Sequence, residues 1–532
     1  MSRTLLFKQL RRAVRLAAAS NQLQMEAGEM TQMYRAGMTD LSRRRVLQGL
    51  AAVGGALALG APRPSFAGLS GSDAKVVIIG AGIAGLTAAY RLQQAGIRAQ
   101  ILEAQHRVGG RMFSIRNYFS NGQVAELGGE LIDSTHTAIR GIAAELGVEF
   151  DDFKGTDTEL IQEVWYFNGR QYSEEQIVHA FKPIAKLIAR DISVIKDGTI
   201  SYKNDQGAKA LDRMTMTGWF NRYGISGWIR EGLEVAYATE VGLSCDQQSA
   251  LNLLLLIDSS PGDHFKIFGE SDERFHVRGG NDLIIQGLAK KLDNQIETEM
   301  VVEAIKQKSD GGFEISASRQ SVPQVIQATH VIMCAPATLV RKMQLDVAMP
   351  KLQREAYNAA TYGTNAKLMI EFSERVWRTR HRSNGSAFTD LQMQTCWETS
   401  RLQPGSSGII TNFVGAAHGV EIGKGTAKEQ AAKTVADMEK FFPGATAARE
   451  GMKEVRMHWP SNPWVLGSYM CPGPGWATKY SGILGEPVGR LYFAGEHTSM
   501  ESQGYMNGGC ESGERAAGEV LAGLGMTQKK AA

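Results

Sequence analysis

The sequence predicts an α/β protein, α+β overall: a Rossmann-like parallel-sheet unit, discontinuous along the chain, joined to a second unit of mixed sheet and helices. Three observations predict it. A strand, a glycine cluster, a helix and a second strand follow one another from Lys75 to Glu103. Apolar residues recur at helical period from Glu174 to Leu256. Strand-like runs dominate after Gly312. At 532 residues the chain is long enough for two or three folding units.

Composition is that of a globular chain, 43% apolar and 21% charged. The formal charge of +3 comes from the first 67 residues, which hold ten Lys/Arg and three Asp/Glu and leave 48 basic and 52 acidic side chains beyond them. That balance carries no electrostatic footprint for nucleic acid. Five cysteines lack metal-ligand spacing, and an odd, scattered set reads as buried thiols. No metal site is expected. Residues 1–40 form a basic extension. In 41–67, Arg43, Arg44 and Arg45 precede the apolar run Val46 to Leu59 and the small-x-small cut site Ser65-Phe66-Ala67. This resembles a twin-arginine export signal, which implies the twin-arginine machinery as a partner and a periplasmic or secreted protein. A basic turn before a buried helix is the alternative.

"KVVIIGAGIAGLTAAYRLQQAGIRAQILE" has Gly80, Gly82 and Gly85 in G-x-G-x-x-G spacing between strand and helix. Gly80 permits the tight turn, Gly82 admits a pyrophosphate, and Gly85 lets helix pack on strand. The helix start offers unpaired N–H groups to phosphates. Glu103, closing the second strand, can accept hydrogen bonds from ribose hydroxyls. "AQHRVGGRM" adds glycine pairs and arginines as a second anion site, with Arg107, Gly110 and Arg111, and "ELGGELIDS" adds Gly128 and Gly129.

Further along, "EEQIVHAFKPIAKLIARDI" is a clear amphipathic helix, "GFEISAS" and "THVIMCA" read as strands, and "NAKLMIEF" alternates as a half-buried strand. "LGEPVGRLYFAGE" is strand-like and delivers Glu496, and a helix follows from about Gly508. The nucleotide unit is expected at 75–150, 275–312 and 489–521, the substrate unit at 151–274 and 313–488, and a loose tail at 522–532.

"GAGIAGL", "LEAQHRVGGRM", "ELGGE" and "LYFAGEHTS…GYMNGGCESGERAA" occur in this order. Together they resemble the flavin-containing amine oxidases, monoamine and polyamine oxidases among them, over roughly Lys75 to Leu521. The resemblance implies an FAD-binding domain in which Gly80, Gly82, Ala84, Gly85, Glu103, Ala104, Arg107, Gly110, Arg111, Gly128, Gly129 and Glu130 contact the cofactor. It adds Val302, bonding adenine through its backbone, Trp459 and Trp464 of "HWPSNPW", and Gly495, Glu496, Gly504, Tyr505 and Met506. It casts Tyr505, in "SQGYMNGG", and Tyr469, after "PWVLGS", as two aromatic walls for the amine. Lys367 is cast as the lysine that reaches flavin N5 through a water and assists reoxidation by oxygen. Lys367, Tyr469 and Tyr505 are thus its catalytic residues.

Aromatic faces suit an amine, since they attract the incoming cation and exclude water. An inward lysine on an apolar strand face is costly and needs a reason; snorkelling to the surface is the alternative. Where covalently flavinylated relatives place a cysteine, this chain has Ser468, so non-covalent FAD is expected. Amino-acid oxidases place an arginine in the "ELGG"-type segment, and this chain has Glu130 and Asp133 there. These two join Tyr469 and Tyr505 as candidate substrate contacts, although Asp133 or Ser134 would also cap the helix of "DSTHTAIRGIAAEL". The expected activity is oxidation of a primary or secondary amine to an imine, with oxygen reduced to hydrogen peroxide. An L-amino-acid oxidase, a desaturase, a flavin-stabilised scaffold without turnover, and a dehydrogenase feeding a quinone or cytochrome are the alternatives. A homodimer stays open.

Overall fold

The computed structural model describes residues 74–196, 198–257 and 272–526. The basic extension and the export segment lie outside these residues, as does most of the tail.

β1 (Val76–Ile79), α1 (Ile83–Gln94) and β2 (Ala99–Leu102) form where the glycine-spaced motif placed them. The sheet they begin is parallel throughout, in the order Leu491–Phe493, His330–Met333, β1, β2, Ile296–Glu297. All four residues of β1 are buried, as a parallel sheet covered on both faces requires. Alternate side chains go opposite ways. Val76 and Ile78 join a helical core with Leu86, Ile142, Leu288 and Val520. Val77 and Ile79 join Ile305, Phe313 and Ile315 of a second sheet, built from Val322–Ala328, Phe313–Arg319, Met300–Gln307 and Gln344–Asp346. The nucleotide sheet is therefore the middle of three layers.

The strand of "THVIMCA" corrects the expected boundary. His330–Met333 pairs directly with β1, Val76 opposite His330, so this part of 313–488 belongs to the nucleotide sheet. The reason is topological: a parallel neighbour of β1 must arrive by crossover, and here the connection runs through the second sheet.

The second unit centres on a seven-stranded sheet in the order Glu454–His458, Ala366–Phe372, Gly408–Val414, Thr395–Glu398, Ala387–Thr389, Val164–Phe167, Arg170–Tyr172. Helices Glu174–Ile192, Met216–Arg222, Trp228–Val241 and Ala250–Leu256 enclose a core holding Phe181, Trp219, Phe220 and Tyr237. The first starts at a capping box of Ser173 and Gln176. The Ala366–Phe372 strand, expected to be half-buried, is buried at every position. Leu368, Ile370 and Phe372 pack with Val435 and Met438 of the Ala427–Met438 helix. The opposite face presents Met369, packed with Phe119 and Leu127, and Lys367.

Two contacts explain the motif's glycines. A Cβ on Gly85 would lie 2.0 Å from the Gly80 carbonyl oxygen, and one on Gly513 2.4 Å from that of Ala84, where the C-terminal helix Met506–Gly523 crosses α1. Gly85→Ala is expected to destabilise the fold by about 1–3 kcal/mol or more, read as a lower thermal denaturation midpoint. An unchanged midpoint would show that strand and helix do not approach this closely.

Candidate active site

A cavity of about 270 Å³ opens at the carboxyl ends of the parallel strands, the expected ligand position in such sheets. Gly80 and Glu103 follow β1 and β2, Cys334 follows His330–Met333, and Gly495 and Glu496 follow Leu491–Phe493; all five line it. Its far wall is the seven-stranded sheet.

The end near β1 is shaped for phosphates. α1 begins at Gly82 with no side-chain cap, leaving its first amides to a ligand. A Cβ on Gly82 would meet nothing within 4 Å, so the space it would enter is the cavity itself. The Glu103 carboxylate accepts the Ala81 N–H at 2.8 Å and the Gln105 N–H at 2.9 Å. Burial pushes its carboxyl up, against the pull of those amides. Ala84, Ala104, Gly110, Gly128, Gly129, Val302, Gly504 and Met506 complete this lining. Arg111 donates to Glu496 Oε1 at 2.8 Å and to the Ser468 carbonyl at 2.9 Å.

Two expected cofactor contacts stand behind the wall. Gly85 serves packing, as above. Arg107 lies 4.0 Å over the Phe113 ring and donates to the Gly110 and Val108 carbonyls. Its guanidinium stiffens the glycine loop instead of reaching the lining.

At the other end, Lys367, Tyr469, Tyr505, Trp459 and Trp464 all line the cavity, brought together from three separate chain segments. The Tyr469 hydroxyl donates to the Glu240 carbonyl at 2.8 Å, and the Tyr505 hydroxyl lies 3.5 Å from Glu240 Oε1. Both phenols are thus tied to one residue near the end of Trp228–Val241. The Trp459 Nε1–H donates to the Leu127 carbonyl at 3.0 Å. Lys367 is buried and inward, donating to Glu130 Oε2 at 2.6 Å and to the Glu126 carbonyl at 3.1 Å.

Two substrate expectations are corrected. Glu130 lines the cavity, but its carboxylate is taken by Lys367, by Trp397 Nε1–H at 3.0 Å and by Thr399 Oγ1–H at 2.9 Å. Burial opposes its charge most, yet Lys367, Trp397 and His276 together outweigh burial and hold the carboxyl below the ordinary glutamate range. Asp133 is outside the lining, 2% exposed; its Oδ1 accepts the Glu273 N–H at 2.6 Å and its Oδ2 lies 3.4 Å from His136 Nε2. His136, not Asp133 or Ser134, occupies the N-cap of Thr137–Glu145, and its ring meets that of Tyr505 at 5.0 Å. Asp133 therefore backs a tyrosine wall from outside.

Sequence reasoning missed Trp397, Phe413 and Glu240. The first two line the cavity with ring centroids 5.4 Å apart. They sit on adjacent strands without any local signal, and Glu240 is one acid among several on its helix.

A nucleotide cradle at the sheet's carboxyl end, facing an aromatic chamber with a buried lysine, defines a dinucleotide-dependent redox enzyme. The pattern of the family described as flavin containing amine oxidoreductase matches residues 83–521. A flavin-containing amine oxidase of Oncorhynchus mykiss is 27% identical over 463 residues, spanning 85% of this chain and 86% of its own. Flavin-containing amine oxidase A of Sus scrofa is 26% identical over 484 residues, covering 87% of each. Among solved structures, cyclohexylamine oxidase from Brevibacterium oxydans IH-35A superposes with a TM-score of 0.73 at 20% identity, covering 85% of this chain and 100% of that one. Putrescine oxidase bound to putrescine gives 0.71 at 20% identity, with 84% and 99% covered. The chain belongs to the flavin-containing amine oxidoreductase family. It is an oxidoreductase acting on amines with FAD as cofactor, and the cradle above fits that dinucleotide.

The Glu130–Lys367 pair has a pH signature. A depressed folded pKa contributes stability that is full above the unfolded value of 4.5 and is lost as pH falls through the folded value. Lys367→Met leaves the buried carboxylate without its counter-ion and is expected to cost about 3–5 kcal/mol at neutral pH. Without the counter-ion burial raises this carboxyl in the variant, so protonation relieves it from above pH 4.5, and its deficit should shrink steadily as pH falls to that value and below. Chemical denaturation at two pH values measures this; a deficit independent of pH would disprove the pairing.

Proposed function

We propose that this enzyme oxidises a primary or secondary amine, a polyamine or monoamine, to an imine that water hydrolyses to an aldehyde, with oxygen reduced to hydrogen peroxide. The observation that carries an amine over an amino acid is charge. Among the described residues lining the cavity the cations are Arg111 and Lys367, and each is paired with a glutamate, at 2.8 Å and 2.6 Å. Neither is placed to receive a substrate carboxylate, whereas the lining holds four glutamates.

Bound FAD supplies the two-electron acceptor for the hydride lost from the amine's α-carbon. The protein's part is placement. Tyr469 and Tyr505, tethered through Glu240, offer ring faces that attract the cation on entry and exclude water once it is seated. A desolvated site favours the neutral amine, whose lone pair is needed to expel hydride. Trp397, Phe413, Trp459 and Trp464 close the rest of the chamber.

Non-covalent FAD is supported at Ser468, whose hydroxyl donates to Asn365 Oδ1 at 2.6 Å, and by Cys471, which is buried outside the lining. The Arg43–Arg45 cluster and the apolar run after it support export by the twin-arginine machinery to the periplasm or beyond.

Three outcomes are expected. Anaerobic mixing of the FAD-loaded enzyme with spermidine, putrescine, phenethylamine and L-amino acids should bleach the flavin with amines; faster bleaching by amino acids would overturn the assignment. Tyr505→Ala should lower kcat/KM for the best amine about tenfold or more, with Tyr505→Phe affected less. Equal rates for both variants and the wild type would remove Tyr505 from the site. Acid precipitation should leave the flavin in the supernatant.

A further inference from the structure

Glu130 and Lys367 come from different units and meet at the cavity lining. Both side chains are nearly inaccessible, 7% and 6% exposed. Three donors from three residues converge on the carboxylate, with Lys367 on one oxygen and Trp397 and Thr399 on the other. Thr399 is held in turn by Thr411, 2.5 Å between hydroxyl oxygens. This carboxylate has a fixed orientation, with three of its roughly four acceptor positions taken by the protein. Lys367 Nζ also lies 5.5 Å from the Trp397 ring centroid, on the same wall. The other titratable groups facing the pair are Glu126 and His276, themselves joined at 3.0 Å. That second pair stands outside the cavity lining.

We propose that Glu130 is a positioning residue for Lys367: it holds the ammonium at the cavity wall and cancels its charge, so the redox centre faces a neutral pair instead of a bare cation. The inference rests on the FAD-dependent reading of the site, and it replaces the idea that Glu130 anchors the substrate. In a poorly solvated cavity an uncompensated charge acts strongly on any group that gains negative charge nearby. A bare Lys367 would favour electron uptake by the cofactor and anion binding beside it; a bare Glu130 would oppose both.

The test needs no amine. FAD-loaded wild type, Glu130→Gln, Lys367→Met and the double variant are compared in flavin reduction potential and in affinity for sulfite, an anion that attacks oxidised flavin. Glu130→Gln should tighten sulfite about tenfold or more and move the potential positive. Lys367→Met should do the opposite. The double variant should return to within about threefold of wild type, as a cycle across a compensated pair requires. Single variants that shift the same way would overturn the proposal. So would a Glu130→Gln variant with unchanged sulfite affinity and potential but a raised KM for amines, which would make Glu130 a substrate anchor after all. Should Glu130→Gln alone fail to fold, the double variant must still bind sulfite more tightly than Lys367→Met; equal affinities would refute the inference. Amines that fail to bleach the wild type would defeat the amine-oxidation reading while leaving this ordering in place.

Discussion

Two buried charges, one from each half of the molecule, meet across the cavity at 2.6 Å: the Glu130 carboxylate follows the nucleotide unit's "ELGG" segment, and Lys367 lies on the seven-stranded sheet. Taking both from water costs several kcal/mol per ion, and attraction repays this only when geometry is good and remaining lone pairs are filled. Here Trp397 and Thr399 both donate to the carboxylate's other oxygen. Such a pair adds little net stability, but it tolerates almost no displacement of one unit against the other. Two further links cross the same boundary, Arg111 to the Ser468 carbonyl and Trp459 Nε1–H to the Leu127 carbonyl. The units are held in register at the place where their residues form one chamber.

The legible parts of this protein were those in which chemistry is local. Gly80, Gly82, Gly85 and Glu103 lie within one strand–helix–strand segment, and backbone geometry alone dictates glycine at a tight turn and a close helix approach. In the late "GYMNGGCESG" stretch the motif was readable but this reason was not: Gly509 and Gly513 sit where a Cβ would strike Ile83 and Ala84. The illegible parts depended on pairings distant in sequence. The His330–Met333 strand looks like any apolar run until β1 claims it. The Ala366–Phe372 strand reads as half-buried because Lys367 and Glu371 alternate with apolar residues, yet both polar side chains face inward, Lys367 to Glu130 and Glu371 to the Ser120 and Lys453 amides. Asp133 misled for a related reason: an acid beside a cofactor motif suggests a cation ligand, and only its bond to the Glu273 amide and its contact with His136 show it facing away.

The tyrosine walls depend on a second junction, centred on Asn365. Its amide donates to the Thr239 carbonyl at 2.7 Å, and its Oδ1 accepts the Ser468 hydroxyl at 2.6 Å. Thr239 precedes Glu240, to which both phenols are tied; Ser468 precedes Tyr469; and Asn365 itself stands two residues before Lys367. The Gly363 N–H bonds the Tyr469 carbonyl, and Gly242 ends the helix at φ 81° where a Cβ would lie 2.1 Å from Asn365 Oδ1. One buried amide thus links the helix that tethers the phenols, the strand that carries the lysine, and the segment that supplies a wall.

That junction also gives Ser468 a structural role. A thioether to the cofactor at this position would need a sulfur free to point into the cavity, whereas here the hydroxyl is committed to Asn365 within a buried network. A hydroxyl donates a short, strong hydrogen bond to an amide oxygen; a thiol is a weaker donor and a larger atom. Gly363 shows how little room there is, since a Cβ on it would lie 2.6 Å from the Ser468 oxygen. The choice of serine before Tyr469 is then a packing requirement of the wall itself. The features shaped for the cofactor's phosphates and ribose lie on the opposite side of the chamber: the uncapped start of α1, the Glu103 carboxylate and the open space at Gly82.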